Sequence, residues 1–581
     1  MHVNHSGVSR RTFVKGAAAS ALLLSSAMPL QAQSDISIRR NTQDLEGNIF
    51  HLNIEKTTVN ITGEPAVATT INGMLCGPTL RWKEGETVTL HVTNKLDEDS
   101  SIHWHGIILP PEMDGVPGIS FEGIAPGETF TYTFPIIQSG TYWYHSHSGF
   151  QEQTGIYGAI VIEPKERDPY HYDQDYVVLL SDWSDEKPTA IYRKLKLSAD
   201  YYNFQQRTVG DFFSEVKEKG FFAAFNDRKM WNTMAMSDRD LSDVTGYTYT
   251  FLMNGESPAT HFKALFSRGE KVRLRFINSA AMTFFDVRIP GLTMRVVAAD
   301  GNNVQPVTVD EFRIGVAETY DVIVEPEDNR AYAIFAQSID RSGYALGSLT
   351  FDERVEATPP PMDPLPVLTH TDMGMADMEM GDHTMGTNMN QSMDHTAMGH
   401  DMKAMSKPKI PMTALPETTG VQTTMRAMNP QYRLDDPGVG LRNNGRKVLT
   451  YADLKSLRST RHDRYPDREI VLRLTGNMER YMWSINGIKY EDADPLEFYY
   501  GERLRITYIN DTMMNHPMHL HGMWSDLETG DDDFLPRKHT VVVQPGAKIS
   551  FRVTVDAKGS WAYHCHLLYH MTDMFRKVVV A

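Results

Sequence analysis

Three stretches of this chain repeat one pattern: KEGETVTLHVTN from Lys83, SRGEKVRLRFIN from Ser267 and YYGERLRITYIN from Tyr499. In each, a Gly-Glu turn opens a run in which apolar and polar residues alternate, the period-two signature of a half-buried strand. Three widely spaced copies imply three similar β domains. Short strands with turns at close intervals point to Greek-key β-sandwiches, so the fold class is all-β. The expected domains span 40–165, 166–355 and 425–581, with a linker over 356–424. Residues 186–240 break the strand pattern, and KLKLSADYYNFQQ and DFFSEVKEKGFFAAF within them read as amphipathic helices inserted in the second domain.

The repeat carries histidines at fixed distances. Eighteen residues separate Gly85 from His103 of HWHG and Gly501 from His519 of HPMHLHG. A second turn repeats the count, from Gly127 to His145 of YWYHSH and from Gly546 to His564 of WAYHCH. Each of these histidines has another two residues on: His105, His521, His147 and His566. The middle domain is the internal control, because the same registers reach Val287 and Ile289 from Gly269, and Ala336 and Ser338 from Glu318. These strands therefore do not need histidine to fold, and the eight imidazoles ask for a chemical reason.

Alternation along a strand supplies one. In HCH, His564 and His566 project from one face and Cys565 from the other, so two metal sites can share three consecutive residues. Eight imidazoles suffice for three ions with positions left open for oxygen, although imidazole alone suits copper, zinc and iron. Cys565 narrows the choice. With His516, His570 and Met574 it offers the thiolate, two imidazoles and weak thioether of a blue-copper site. Structural zinc favours closed, closely spaced tetrahedral sets, and iron-sulfur clusters need more thiolates than Cys76 and Cys565 provide. Cys76 itself reads as a small buried hydrophobe.

HWHG, YWYHSH, HPMHLHG and HCHLLYHMTDM, in this order, resemble the four copper motifs of the multicopper oxidases. The leader, NGMLCGPTLRW, PPEMDGVPGISFEGIAPG and a methionine-rich segment make the chain similar, within that family, to the periplasmic copper resistance protein A group. The resemblance implies three cupredoxin-like domains and four copper ions. His516, Cys565, His570 and axial Met574 would hold a type 1 copper, and His103 and His519 a type 2 copper. His105, His145, His147, His521, His564 and His566 would hold a type 3 pair. Asp114, in the MDG stretch, matches the family's acid near the cluster, where a carboxylate can help supply protons. Two departures stand out. The family's axial residue usually lies ten positions after the cysteine, where this chain has Phe575, with Met574 one earlier. Met571 follows His570 where many relatives carry an acid.

The start and the linker suggest where such chemistry operates. SRRTFVK, Ser9–Lys15, precedes GAAASALLLSSAMPL and the small residue Ala32, which reads as a twin-arginine export signal over residues 1–32 and a periplasmic mature protein. From Thr369 to Ser406 the chain holds Met373, Met375, Met378, Met380, Met385, Met389, Met393, Met398, Met402 and Met405, with His370, His383, His395 and His400. Little there could form a core, which predicts a disordered linker. Thioether sulfur is soft and selects Cu(I), so the composition points to copper collection or delivery. The formal charge of −17 disfavours nucleic acid and anionic membranes as partners. A monomer without a membrane anchor is expected, with Cu(I) and O2 as substrates and periplasmic copper carriers as exchange partners. A laccase-like phenol oxidase and a copper-sequestering protein are the alternatives.

Overall fold

The computed structural model describes residues 43–233, 236–375, 410–418 and 420–581. The expected export signal, and the tract methionines from Met378 to Met405, lie outside these residues. Six sheets form three pairs. The first pair holds strands between Asp44 and Glu163, the second between Gln174 and Thr350, and the third between Met412 and Val580. The three sandwiches share one continuous apolar core, in which Cys76 is buried as a small hydrophobe.

The three repeated segments are the strands Thr87–Asn94, Val272–Asn278 and Arg503–Asn510. Each is preceded by a glycine at positive φ, Gly85 at 93°, Gly269 at 83° and Gly501 at 84°, a conformation glycine adopts without steric cost. The eighteen-residue register also has a structural counterpart. His103 pairs with His145 across antiparallel strands, His519 with His564, and Val287 with Ala336 at the same place in the middle sandwich. The middle domain thus keeps the scaffold and fills the ligand positions with Val287, Ile289, Ala336 and Ser338, none of which ligates copper.

The inserted segment is helical over Pro188–Leu197, Val209–Lys219 and Phe221–Thr233. The helix expected over KLKLSADYYNFQQ stops at Leu197, because Ser198 is extended and its hydroxyl bonds the Asp200 carboxylate, a local alternative to continued helix. A capping box of Thr208 and Asp211 starts the next helix, and Gly220, at φ 86°, separates it from the third. No helix among the described residues is long and apolar enough to cross a membrane.

Candidate metal centre

The strands His103–His105, Gly140–His145, His516–Leu520 and Gly559–Cys565 bring the HxH pairs together between the first and third sandwiches. Their ligand atoms form compact groups: His103 with His105 and His519; His105 with His145 and His566; and His147 with His521 and His564. The nitrogens converge closely, with His521 Nε2 3.0 Å from His564 Nε2 and His145 Nε2 3.3 Å from His566 Nε2.

Outward hydrogen bonds orient the rings. His103 Nδ1 donates to the Asp114 carbonyl at 2.7 Å, and His519 Nδ1 to the His539 carbonyl at 2.7 Å. His521 Nδ1 donates to Asp114 Oδ2 at 2.9 Å, and His145 Nδ1 lies 2.8 Å from Glu152 Oε2. On the inner side, His103 Nε2, His105 Nδ1, His147 Nε2 and His519 Nε2 are buried without any protein partner. Buried nitrogens normally find partners, so inward lone pairs left open in this way fit a shared metal cluster. Burial, reinforced by neighbouring imidazoles, holds the pKa of His105, His145, His147, His519, His521 and His566 well below the usual histidine value. Burial likewise takes His564 down to about 4. Burial thus favours the neutral form of these seven rings, the form that binds metal.

Cys565 points to the other face of its strand. Its Sγ lies 3.5 Å from His516 Nδ1 and 3.9 Å from His570 Nδ1, and the two nitrogens are 3.4 Å apart. All three side chains are fully buried. Burial raises the Cys565 thiol, so a thiolate there needs a cation beside it. The donor set of one sulfur and two imidazoles fits copper. Phe575 pairs with His564 across the strands and stacks on its ring, which puts it on the histidine face, whereas Met574 is buried in the same core as Cys565. Met571 is partly buried against that core.

Three further side chains enter these sites from elsewhere in the sequence. Asp243, just after the inserted helices, lies fully buried with Oδ2 2.6 Å from His570 Nε2, and Tyr481 donates to it at 3.0 Å. Burial pushes its carboxyl up to about 7. Sequence reasoning read no function in the insertion over 186–240, yet the residues that directly follow it contact the cysteine site. Glu152 faces His145 and, at 4.0 Å, His566, opposite Asp114. His539 lies with Nδ1 3.1 Å from His105 Nε2. Glu152 sits five residues after His147, a spacing that could have suggested it; His539 and Asp243 carry no such signal.

Asp240, buried three residues before Asp243, lines an open cavity with Met236, Met478, Asp238 and Trp231, and with Arg207 and Arg228, of which Arg207 is ion-paired with Asp238. The methionine-rich tract begins beside this cavity. Leu368 N–H donates to the Asp238 carbonyl and the His370 ring packs edge-on to Trp231; Val421, fifteen residues beyond the tract, accepts from Nδ2 of Asn477, the neighbour of Met478. Met373 is fully buried and Met375 packs against the core, so these two of the tract's methionines serve packing.

Three β-sandwiches, the first and third joined by a buried histidine cluster with a cysteine site one residue away along the strand, define a copper-dependent oxidoreductase. Multicopper oxidase family models match residues 53–167, 174–351 and 463–581. The chain belongs to the multicopper oxidase family. It is 55% identical to Copper resistance protein A of Escherichia coli, covering 98% of this chain and 99% of that protein. It is 54% identical to Copper resistance protein A of Pseudomonas syringae pv. tomato, covering 99% of each. Among solved structures, Fet3p, a multicopper oxidase that functions in iron import, superposes with a TM-score of 0.62 at 18% identity, over 93% of this chain and 90% of that one. A laccase from Botrytis aclada does so with 0.61 at 22% identity, over 93% and 88%.

Proposed function

We propose that this protein is a cuprous oxidase of copper tolerance, which oxidises Cu(I) to Cu(II) and reduces O2 to water, each O2 taking up four electrons and four protons. His516, Cys565, His570 and Met574 would hold the type 1 copper, and His103 and His519 the type 2 copper. His105, His145 and His566 would hold one ion of the type 3 pair, and His147, His521 and His564 the other. Four bound ions would supply the redox chemistry: one-electron transfer at the thiolate site and O2 reduction at the histidine cluster. Cys565 is bonded through backbone to His564 and His566, which gives the shortest covalent route between the two sites. Asp114 and Glu152 keep the outward N–H groups of His521 and His145 hydrogen-bonded, and Asp114 serves as the proton-handling group. The protein works in the periplasm after twin-arginine export, an assignment that rests on Ser9–Lys15 and the following apolar run.

The observation that carries the Cu(I) reading is the cavity that holds Met236 and Met478, with Asp240, three residues before Asp243, in its wall. Its two thioethers suit a soft cation, its Asp238 carboxylate is ion-paired with Arg207, and the start of the methionine-rich tract lies beside it. In this reading the tract beyond Met375 collects Cu(I) and hands it to Met236 and Met478, and the electron reaches His570 by way of Asp243. A double variant, Met236→Leu with Met478→Leu, tests it: the KM for chelated Cu(I) rises while turnover of a methoxyphenol is retained. Equal loss with both reductants would remove the cavity from the copper route. Sequestration without oxidation predicts instead that Cys565→Ser still protects cells from copper.

A further inference from the structure

Asp300 stands in a left-handed turn at φ 46°, followed by Gly301 at 74°. The turn presses on the first sandwich: a Cβ at Gly301 would lie 2.2 Å from the Tyr142 ring, and one at Gly140 would lie 2.0 Å from the Gly301 carbonyl oxygen. The Asp300 carboxylate thereby reaches the junction of all three sandwiches. Its Oδ1 accepts the Thr319 N–H at 3.0 Å, and its Oδ2 accepts the N–H groups of His539 and Thr540, both at 3.1 Å. Lys538 Nζ is 3.0 Å from Asp300 Oδ2 and 3.0 Å from Glu318 Oε1, and Glu318 in turn accepts from Tyr451 OH at 2.6 Å and Gly315 N at 2.7 Å. Asp300 and Lys538 are both fully buried. Apolar residues of similar volume often stabilise such a position as well or better, so packing alone does not account for buried charges here.

What they hold is His539. Its carbonyl accepts from His519 Nδ1, and its ring Nδ1 lies 3.1 Å from His105 Nε2. His519 Nε2 and His105 Nδ1 are the nitrogens left free on the inner side. The Thr540 hydroxyl meets the same His105 Nε2 at 3.2 Å, so the clamped pair His539–Thr540 selects the inward-facing nitrogen on a histidine from HPMHLHG and on another from HWHG. We infer that the ligand-free middle domain braces the copper cluster, with Asp300 as the positioning residue that clamps Lys538–Thr540 and His539 as the contact that orients His105 and His519. The inference rests on the assignment of those two histidines as copper ligands, and it gives the middle sandwich a task that its lost ligands leave unexplained.

The test uses the copper-loaded full chain and two variants. Asp300→Asn keeps the side-chain shape but removes the charge facing three N–H groups and Lys538. It should weaken retention of type 2 copper against a chelator by about 10–100-fold and change its EPR hyperfine splitting, while the blue thiolate band of Cys565 persists. His539→Leu retains the backbone carbonyl that orients His519, so its type 2 EPR signal should survive while the near-ultraviolet absorption of the type 3 pair changes. Wild-type copper retention and EPR in Asp300→Asn would overturn the inference, as would loss of the blue band in parallel with the type 2 signal. So would unchanged type 3 absorption in His539→Leu. A wild-type protein that shows a blue band but no type 2 signal would instead overturn the underlying ligand assignment.

Discussion

Replacing Asp243 isolates the link between the inserted segment and the cysteine site. Its carboxylate is the acceptor for His570 Nε2 at 2.6 Å and for the Tyr481 hydroxyl at 3.0 Å, with all three groups fully buried. Asp243→Ala strands both donors. A buried donor without a partner costs about 1–3 kcal/mol, which gives about 2–6 kcal/mol for the two. Both donors meet the same oxygen, Oδ2, so Asp243→Asn can keep an acceptor for each and should cost less than the alanine variant. The order wild type, Asn, Ala should therefore appear in the melting temperature of the copper-loaded protein. Functionally, loss of a hydrogen-bonded partner behind a metal ligand typically costs about 10–100-fold in metal affinity or activity. Stopped-flow reduction of the blue band by chelated Cu(I) should slow by that factor in Asp243→Ala, while reoxidation by O2 keeps its wild-type rate. Unchanged melting and unchanged reduction in the Ala variant would refute the claim that Asp243 couples the cavity to His570. Slower reoxidation instead would show that Asp243 acts on the wrong half of the reaction.

Cys565→Ser should abolish the blue absorption and steady-state turnover, because serine offers no soft thiolate, while type 2 EPR persists; absorption and EPR spectra of the loaded variant check both. Deleting residues 376–405 leaves the buried Met373 and the Asp372–Arg442 ion pair in place, and should lower Cu(I) turnover more than methoxyphenol turnover in parallel assays. Gly115→Ala should be strongly disruptive: at φ 78° its Cβ would lie 1.8 Å from the Ile102 carbonyl oxygen, next to Asp114 and His103. Backbone strain of this kind costs about 1–3 kcal/mol even before the clash is relieved, and a reduced copper content with a lower melting temperature is the expected readout.

The scaffold was legible because it is periodic. Gly85, Gly269 and Gly501 mark the same turn in three domains, and a count of eighteen places His103 and His519, with Val287 as their counterpart in the middle sandwich. Strand alternation separated Cys565 from His564 and His566 before any coordinates, and the paired registers follow the same logic. The hidden residues are those brought in by tertiary structure alone. Asp243 follows a helical insertion whose course over the third domain no local pattern encodes, and His539 is a lone histidine in RKHTVVV. The failed stretch of helix after Leu197 has a similar origin, since Ser198 and Asp200 satisfy each other in a turn that amphipathic periodicity does not register.

The central claim is that Cu(I) is the reductant. Oxygen uptake by the copper-loaded protein, with chelated Cu(I) and separately with a methoxyphenol, corrected for spontaneous oxidation, tests it most directly. The account predicts a much higher kcat/KM for Cu(I), with four Cu(I) consumed per O2 and no peroxide released. A higher kcat/KM for the phenol, or no uptake with either reductant at full copper loading, would contradict it.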